Sequence, residues 1–164
     1  PKGHLHYHSP GQFSVKPFGK PLEQRTCQNI GMIAGGSGIT PMLQILHAIF
    51  SNPLDTAVCV KLIYANQTES DILVREELES LEKQYPNRLS VWYTVDRVGE
   101  EDWKYDLGFI SKTMIEEHLL FEDSDKGTKT QTQFFMCGPP PMIKFACLPA
   151  LQELGHCEKD WVIF

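Results

Sequence analysis

Two short stretches carry the residues whose types and spacing could do chemistry. In "GMIAGGSGITPM" (31–42) an apolar run reaches Gly35, Gly36, Ser37 and Gly38 and passes straight into a helical pattern. Glycines let a backbone turn tightly and approach a bulky anion closely. Thr40 can cap the helix and Pro41 suits its first turn. The free N–H groups of such a turn make a phosphate site. The spacing departs from G-x-G-x-x-G, because Pro41 stands where the third glycine belongs, and no Gly-Lys-Ser/Thr follows as in a P-loop. The alternative is a strand–helix turn that binds nothing. In "TQFFMCGPPPM" (132–142) a second apolar run stops at Cys137, followed by Gly138 and the prolines 139 to 141. A thiol before a helix start can have its pKa lowered and become reactive; it can equally be an inert, small apolar side chain. The prolines have a mechanical reading: they cannot donate to a ladder, so they end a strand, and they preset a first helical turn.

Weaker candidates lie at two other strand ends. "YANQTESD" (64–71) offers Asn66 and Gln67 where dinucleotide folds place an acid on the ribose, with Thr68 as a helix cap. Plain turn chemistry explains it as well. In "VWYTVDR" (91–97) Asp96 could accept from ribose hydroxyls and repel a 2′-phosphate, or be a surface acid. His4, His6 and His8 alternate as on an exposed strand face, and no carboxylate or cysteine nearby completes a metal set. His47, His118 and His156 have no partners visible in sequence.

These residues need elements to position them. Five short β-type runs occur, at 29–34, 58–65, 89–95, 132–137 and 160–164, all mostly apolar, as in strands covered on both faces. Helical stripes fall between them. One runs over 41–51, one over 70–85, one over 111–119 with Ser111 as N-cap, and one from Pro140 to Gly155 with a kink at Pro149. The alternation predicts an α/β fold, a five-stranded parallel sheet flanked by helices. Ligands bind such sheets at the carboxyl edge, where the strand order reverses. That edge gathers the residues after Ala34, after Ala65, around Asp96, at Cys137 to Pro139, and Phe164 at the end of "DWVIF". The opening differs: "HLHYHSPGQFSV" reads as a stray strand or two within residues 1–18, and the polar 19–29 as a linker to a domain over 30–164.

The 164 residues bury a sizeable core without staples, and the net charge of −6 argues against nucleic acid as partner. No apolar run approaches a membrane span and the start has no signal-peptide pattern. Five cysteines, an odd count without C-x-x-C, fit reduced thiols in a cytosol-like compartment.

With the motifs assembled, the chain resembles the NADH-cytochrome b5 reductase family, more broadly the pyridine-nucleotide half of ferredoxin-reductase-type flavoenzymes. The likeness rests on "GMIAGGSGITPMLQ", "ANQTESDILVREELE", "LSVWYTVDR", "GFI", "MCGPPPMI" and the terminal "VIF", in that order over residues 30–164. The flavin module of NADH–nitrate reductase is also similar, and a redox-inactive nucleotide-binding fragment is the third reading. The resemblance implies an oxidoreductase using NADH and FAD. Hydride would pass from NADH to FAD, then single electrons to cytochrome b5 or a b5-like haem domain. Residues 1–18 would be a remnant of the FAD-binding β-barrel, whose motif R-x-Y-[ST]-x-x-[ST] does not occur in this sequence. The chain alone is then expected to hold FAD weakly. A monomer on the cytoplasmic side is expected, with any membrane attachment supplied by an N-terminal region outside this sequence. Residue by residue, the resemblance places the pyrophosphate on Gly35, Gly36, Ser37 and Gly38. It sets Thr40 and Pro41 toward flavin and nicotinamide, Gln67 and Asp96 on the adenosine half, and Phe109 beside the adenine. Cys137, Gly138, Pro139 and Met142 would line the nicotinamide pocket, and Phe164 would lie near the flavin. Cys137 and Thr40 would stand at the reacting atoms, Cys137 as a positioning contact rather than a nucleophile.

Overall fold

The computed structural model describes residues 5–16, 21–99, 102–121 and 132–164. His4 and the residues 17–20 at the start of the expected linker lie outside them.

The apolar runs become strands of one parallel sheet because both their faces are covered. β4 (Asn29–Gly35) is buried from its second residue to its last, and β8 (Thr132–Cys137) over four central residues. β5 (Cys59–Thr68), β6 (Leu89–Arg97), β7 (Asp106–Leu107) and β9 (Trp161–Ile163) complete the sheet in the order β7-β6-β5-β4-β8-β9. Alternate side chains feed two cores. Ile30, Met32 and Ala34 pack with α1 (Ile39–Phe50) on one face. Ile33, Ile63, Phe134 and Met136 pack with α3 (Lys112–His118) and α5 (Leu148–Glu153) on the other. The sheet has six strands, not five. The added β7 is too short to show a period, and it is held by long-range bonds: Trp92 Nε1–H donates to Asp106 (2.9 Å) and the Gly108 N–H to the Val95 carbonyl (2.8 Å).

Helix boundaries shift in three places. α1 starts at Ile39 with Gly38 at its N-cap, so Thr40 does not cap it; the Thr40 hydroxyl donates to the Ser37 carbonyl instead (3.0 Å). The 70–85 stripe becomes a single turn at Glu69–Asp71 and then α2 (Arg75–Gln84), separated by Val74 at φ 51°. Ser111 caps α3 as expected, accepting from the Met114 N–H at 3.2 Å. The last helix changes register within itself. An α turn, α4 (Pro140–Met142), leads into a π-type stretch (Ile143–Cys147) and then α5, and Gly155 ends it at φ 89°.

The opening residues form a separate antiparallel sheet, β1 (Leu5–Ser9), β2 (Gln12–Val15) and β3 (Glu23–Thr26). β3 lies where the sequence reads as linker. Its four residues are polar, and what holds it is Arg25, which donates to the Lys159 carbonyl (2.9 Å) and to Gln133 (3.2 Å). At the other end Tyr7 donates to the buried Asp55 carboxylate, which also takes Arg88 at 3.2 Å. Removing one partner from a buried pair of this kind costs ~3–5 kcal/mol. Phe13, 1% exposed, packs edge-on to Phe135 (5.3 Å), so the small sheet shares the main core.

The site is positioned by an interlock between the ends of β4 and β8. These strands are neighbours, with Ala34 opposite Cys137, and the strand order reverses between them. A Cβ on Gly38 would stand 2.1 Å from the Cys137 carbonyl oxygen. One on Gly138 would stand 3.0 Å from the Gly35 nitrogen and 2.6 Å from Met142 Cε. One on Gly35 would meet Pro139 Cδ at 2.8 Å and Met142 Sδ at 3.0 Å. The two loops approach this closely only because both are glycine. Gly38→Ala is therefore expected to destabilise the fold by ~1–3 kcal/mol in urea titration. Gly99→Ala, which meets nothing within 4 Å, should be near neutral. Equal midpoints for the two variants would contradict the interlock.

Candidate nucleotide site

The carboxyl edge of the sheet is level. Register pairs Gly35 with Ala65, Ala65 with Thr94, and Ala34 with Cys137, so the loops after β4, β5, β6 and β8 leave the sheet side by side. They bound a cleft of ≈ 930 Å³. Its base is Gly35 and Gly36, and one wall carries Gln67, Asp96 and Phe109. The other wall carries Pro139, Met142 and Phe145.

The base of the cleft suits an anion. Gly36 sits at φ 53°, with nothing within 4 Å of where a Cβ would be, and its carbonyl is anchored by the Tyr64 hydroxyl (2.9 Å). Gly36–Gly38 is a 3-10 turn with no side-chain cap and no acidic residue, and it runs into α1, whose first N–H, that of Ile39, is spent on the Gly36 and Ser37 carbonyls. The N–H groups of the turn itself and the positive end of the α1 dipole are what a ligand would meet. Thr40 is spent on Ser37 and does not compete. These residues fit a dinucleotide pyrophosphate.

Gln67 and Asp96 are exposed on the wall formed by β5 and β6. Next to them the Asp71 carboxylate accepts from the Thr68 N–H (3.0 Å) and hydroxyl (2.6 Å), which fixes the β5 exit loop. Phe109 is 82% exposed on the loop after β7. That loop is pinned on both sides of the ring, by Thr94 donating to the Gly108 carbonyl (2.7 Å) and by the Ser111 cap. An aromatic ring held this rigidly in water is a surface awaiting a flat partner.

Seven of the fourteen residues singled out from sequence line this cleft: Gly35, Gly36, Gln67, Asp96, Phe109, Pro139 and Met142. Ser37, Gly38, Thr40, Pro41, Cys137, Gly138 and Phe164 do not. Gly38, Cys137 and Gly138 belong to the interlock instead. The Phe164 N–H extends the β9 pairing by donating to the Met136 carbonyl (3.0 Å), and its ring lies 6.3 Å from that of Phe135. Cys137 is half-buried, and burial raises its thiol pKa. A helix start alone suggests a lowering; here desolvation of the partly buried thiol outweighs it. Cys147 in the core is pushed up to about 12 by the same cause. All five cysteines are free.

Sequence reasoning missed Phe145, Lys112 and Glu153 on the cleft rim. The exposed Phe in a helical stripe was the available signal for the first. The three histidines without partners in sequence have them here: His47 Nε2 lies 2.7 Å from Glu77, His118 stacks on Trp92 at 3.7 Å, and His156 packs edge-on to Phe134 at 4.7 Å. Of the alternating histidines, His8 bonds Ser14 (2.7 Å), and no group that could hold a metal ion occurs among the described residues. Nor is any helix among them long and apolar enough to cross a membrane.

Comparison with known proteins agrees with this geometry. The oxidoreductase NAD-binding domain family matches residues 32–148. NADH-cytochrome b5 reductase 1 of Homo sapiens is 46% identical over 160 residues, 97% of this chain and 50% of that protein. NADH-cytochrome b5 reductase 2 of Gallus gallus is 47% identical over 157 residues, 95% of this chain and 49% of that protein. The chain thus spans about half the length of the curated relatives it matches. Among solved structures, the cytochrome b5 reductase domain of Ulva prolifera nitrate reductase superposes with a TM-score of 0.87 at 43% identity, covering 100% of this chain and 58% of that one. The CS-b5R domains of human Ncb5or, in the NAD+ form, superpose with a TM-score of 0.72 at 28% identity, covering 84% and 37%. Sheet order, glycine turn and these likenesses converge, and the chain belongs to the oxidoreductase NAD-binding domain family, which it shares with the NADH-cytochrome b5 reductases.

Proposed function

We propose that this chain is the NADH-binding half of a flavoprotein reductase that delivers electrons to cytochrome b5 or a b5-like haem domain. The observation that carries the reading is the uncapped start of α1 behind the open Gly36, at the switch point and at the base of the cleft. NADH bound there supplies a hydride for FAD, which residues outside this chain would mostly hold.

The protein's own residues then do positioning work, which sets the rate of a transfer that needs donor and acceptor aligned. Gly35, Gly36, Ser37 and Gly38 hold the pyrophosphate. Gln67 and Asp96 take the adenosine ribose, and Phe109 the adenine. Pro139 and Met142 form the wall that divides the adenosine half from the nicotinamide half. Cys137 and Gly138 bound the nicotinamide side, with Thr40, Pro41 and Phe164 facing the flavin. Burial keeps the Cys137 thiol protonated at neutral pH, so it presses on the ring as a neutral, polarisable group and does not attack it. The likeness to the nitrate reductase domain supports the same donor site with a different acceptor. Five free thiols favour a reducing, cytoplasm-like side, and a monomer is the simplest assembly.

Titration calorimetry on the purified chain tests the binding reading. NADH should bind one-to-one and more tightly than NADPH; no NADH binding would overturn the proposal. Asp96→Thr removes a charge facing a 2′-phosphate, so the NADH/NADPH affinity ratio should fall roughly tenfold. An unchanged ratio removes Asp96 from that role. In the flavin-loaded reductase containing this chain, Cys137→Ser should slow flavin reduction in stopped flow by roughly ten- to a hundredfold, with NADH affinity within about twofold of the parent. A parental rate would contradict the positioning role.

A further inference from the structure

Phe145 is 71% exposed, although it lies in the helix that packs Ile143, Cys147, Ala150 and Leu151 into the core. It stands two residues from both Ile143 and Cys147, on the opposite side of the helix, and Pro149 follows four residues on. Proline has no N–H for the carbonyl four residues back, and its ring crowds that carbonyl. That carbonyl is Phe145's own. The helix responds with a π-type stretch over Ile143–Cys147, in which the Leu148 N–H reaches back five residues to Ile143. Phe145 sits in the middle of that stretch and lines the cleft, and such π turns often occur at functional sites.

Phe145 and Phe109 are the two large exposed apolar side chains of this cleft, and they come from different elements. The elements are tied at the rim, where Lys112 at the start of α3 pairs with Glu153 at the end of α5 (3.2 Å). Between the rings the lining is apolar or small, with Ile110, Met142, Ala146 and Pro149. Lys144 covers one face of the Phe145 ring, 5.3 Å from its centroid. A slot with two aromatic walls suits a flat heterocycle, and the buried Nδ2 of Asn66 on the same cleft, which has no hydrogen-bond partner, is a donor for an acceptor on the ligand. Asp96 beside it suits the hydroxyls of the attached sugar.

We infer that Phe145 is the second aromatic wall of a purine slot whose first wall is Phe109, and that it selects the adenine base of the nucleotide. This rests on the cleft binding a dinucleotide, as proposed above. Cys137 and Thr40 lie outside the cleft lining, so the pyrophosphate turn separates the slot from the nicotinamide side.

Calorimetry with ADP-ribose and with NADH, on the parent chain and on Phe145→Ala, Phe145→Leu and Phe145→Tyr, tests it. Base–aromatic stacking lost at an exposed position should weaken ADP-ribose about five- to tenfold in Phe145→Ala. Phe145→Tyr should restore affinity to within about twofold, and Phe145→Leu should not. Proton NMR of ADP-ribose gives an independent readout: the upfield shift of adenine H2 and H8 on binding should shrink in Phe145→Leu and persist in Phe145→Tyr. Because the ring is exposed, all three variants should melt with the parent. Parental affinity and shifts in Phe145→Ala and Phe145→Leu, with NADH still bound, would overturn the role of Phe145 alone. A parent that binds neither ligand would overturn the nucleotide site and the slot together.

Discussion

The contact on which the rest depends is a backbone meeting a backbone. Gly38 lies so close to the Cys137 carbonyl, and Gly138 to Gly35, that no side chain fits between the two loops. This contact is available only where β4 and β8 are neighbours and the chain turns opposite ways after each. The switch point creates the crevice, and the four glycine positions let it close to a shape that admits a pyrophosphate rather than a second layer of side chains. Met142 packs its thioether over both loops, so one flexible side chain seals what rigid backbone leaves open.

From this point outward the protein divides its work. The glycine turn supplies oriented N–H groups and asks nothing of side-chain charge, which suits a chain of net charge −6. Asp96 at the end of β6, Phe109 on the loop after β7 and Phe145 in the last helix line the cleft beside it. The small antiparallel sheet is fastened by Arg25 on one side and the Tyr7–Asp55–Arg88 knot on the other. Polar fastening of that kind fixes orientation more than it adds stability.

Much of this was legible in the sequence, for physical reasons. Strands buried on both faces are continuous apolar runs, so β4, β5, β6, β8 and β9 could be read directly. Glycines and prolines punctuate, so both loops of the interlock stood out. β7 and β3 could not be read, because two residues carry no period and Glu23–Thr26 is held by Arg25's reach to residues far along the chain. Thr40 was misread as a cap because a sequence shows a hydroxyl near a helix start but not that it turns back to Ser37. Of the two readings open for Cys137, a thiol lowered by a helix start or an inert small side chain, burial favours the second. Phe145 was passed over because a helical stripe marks the buried face, and Phe145 lies on the other face of that helix.

Amide chemical-shift mapping tests the central claim most directly, since 18.7 kDa is within reach of uniform ¹⁵N labelling. On titration with NADH the account predicts the largest shifts at Gly36, Ser37 and Gly38. Smaller ones should reach Phe109 on one side of the turn and Gly138 on the other. Shifts that bypass the Gly36–Gly38 amides, or fall on a different edge of the sheet, would contradict it.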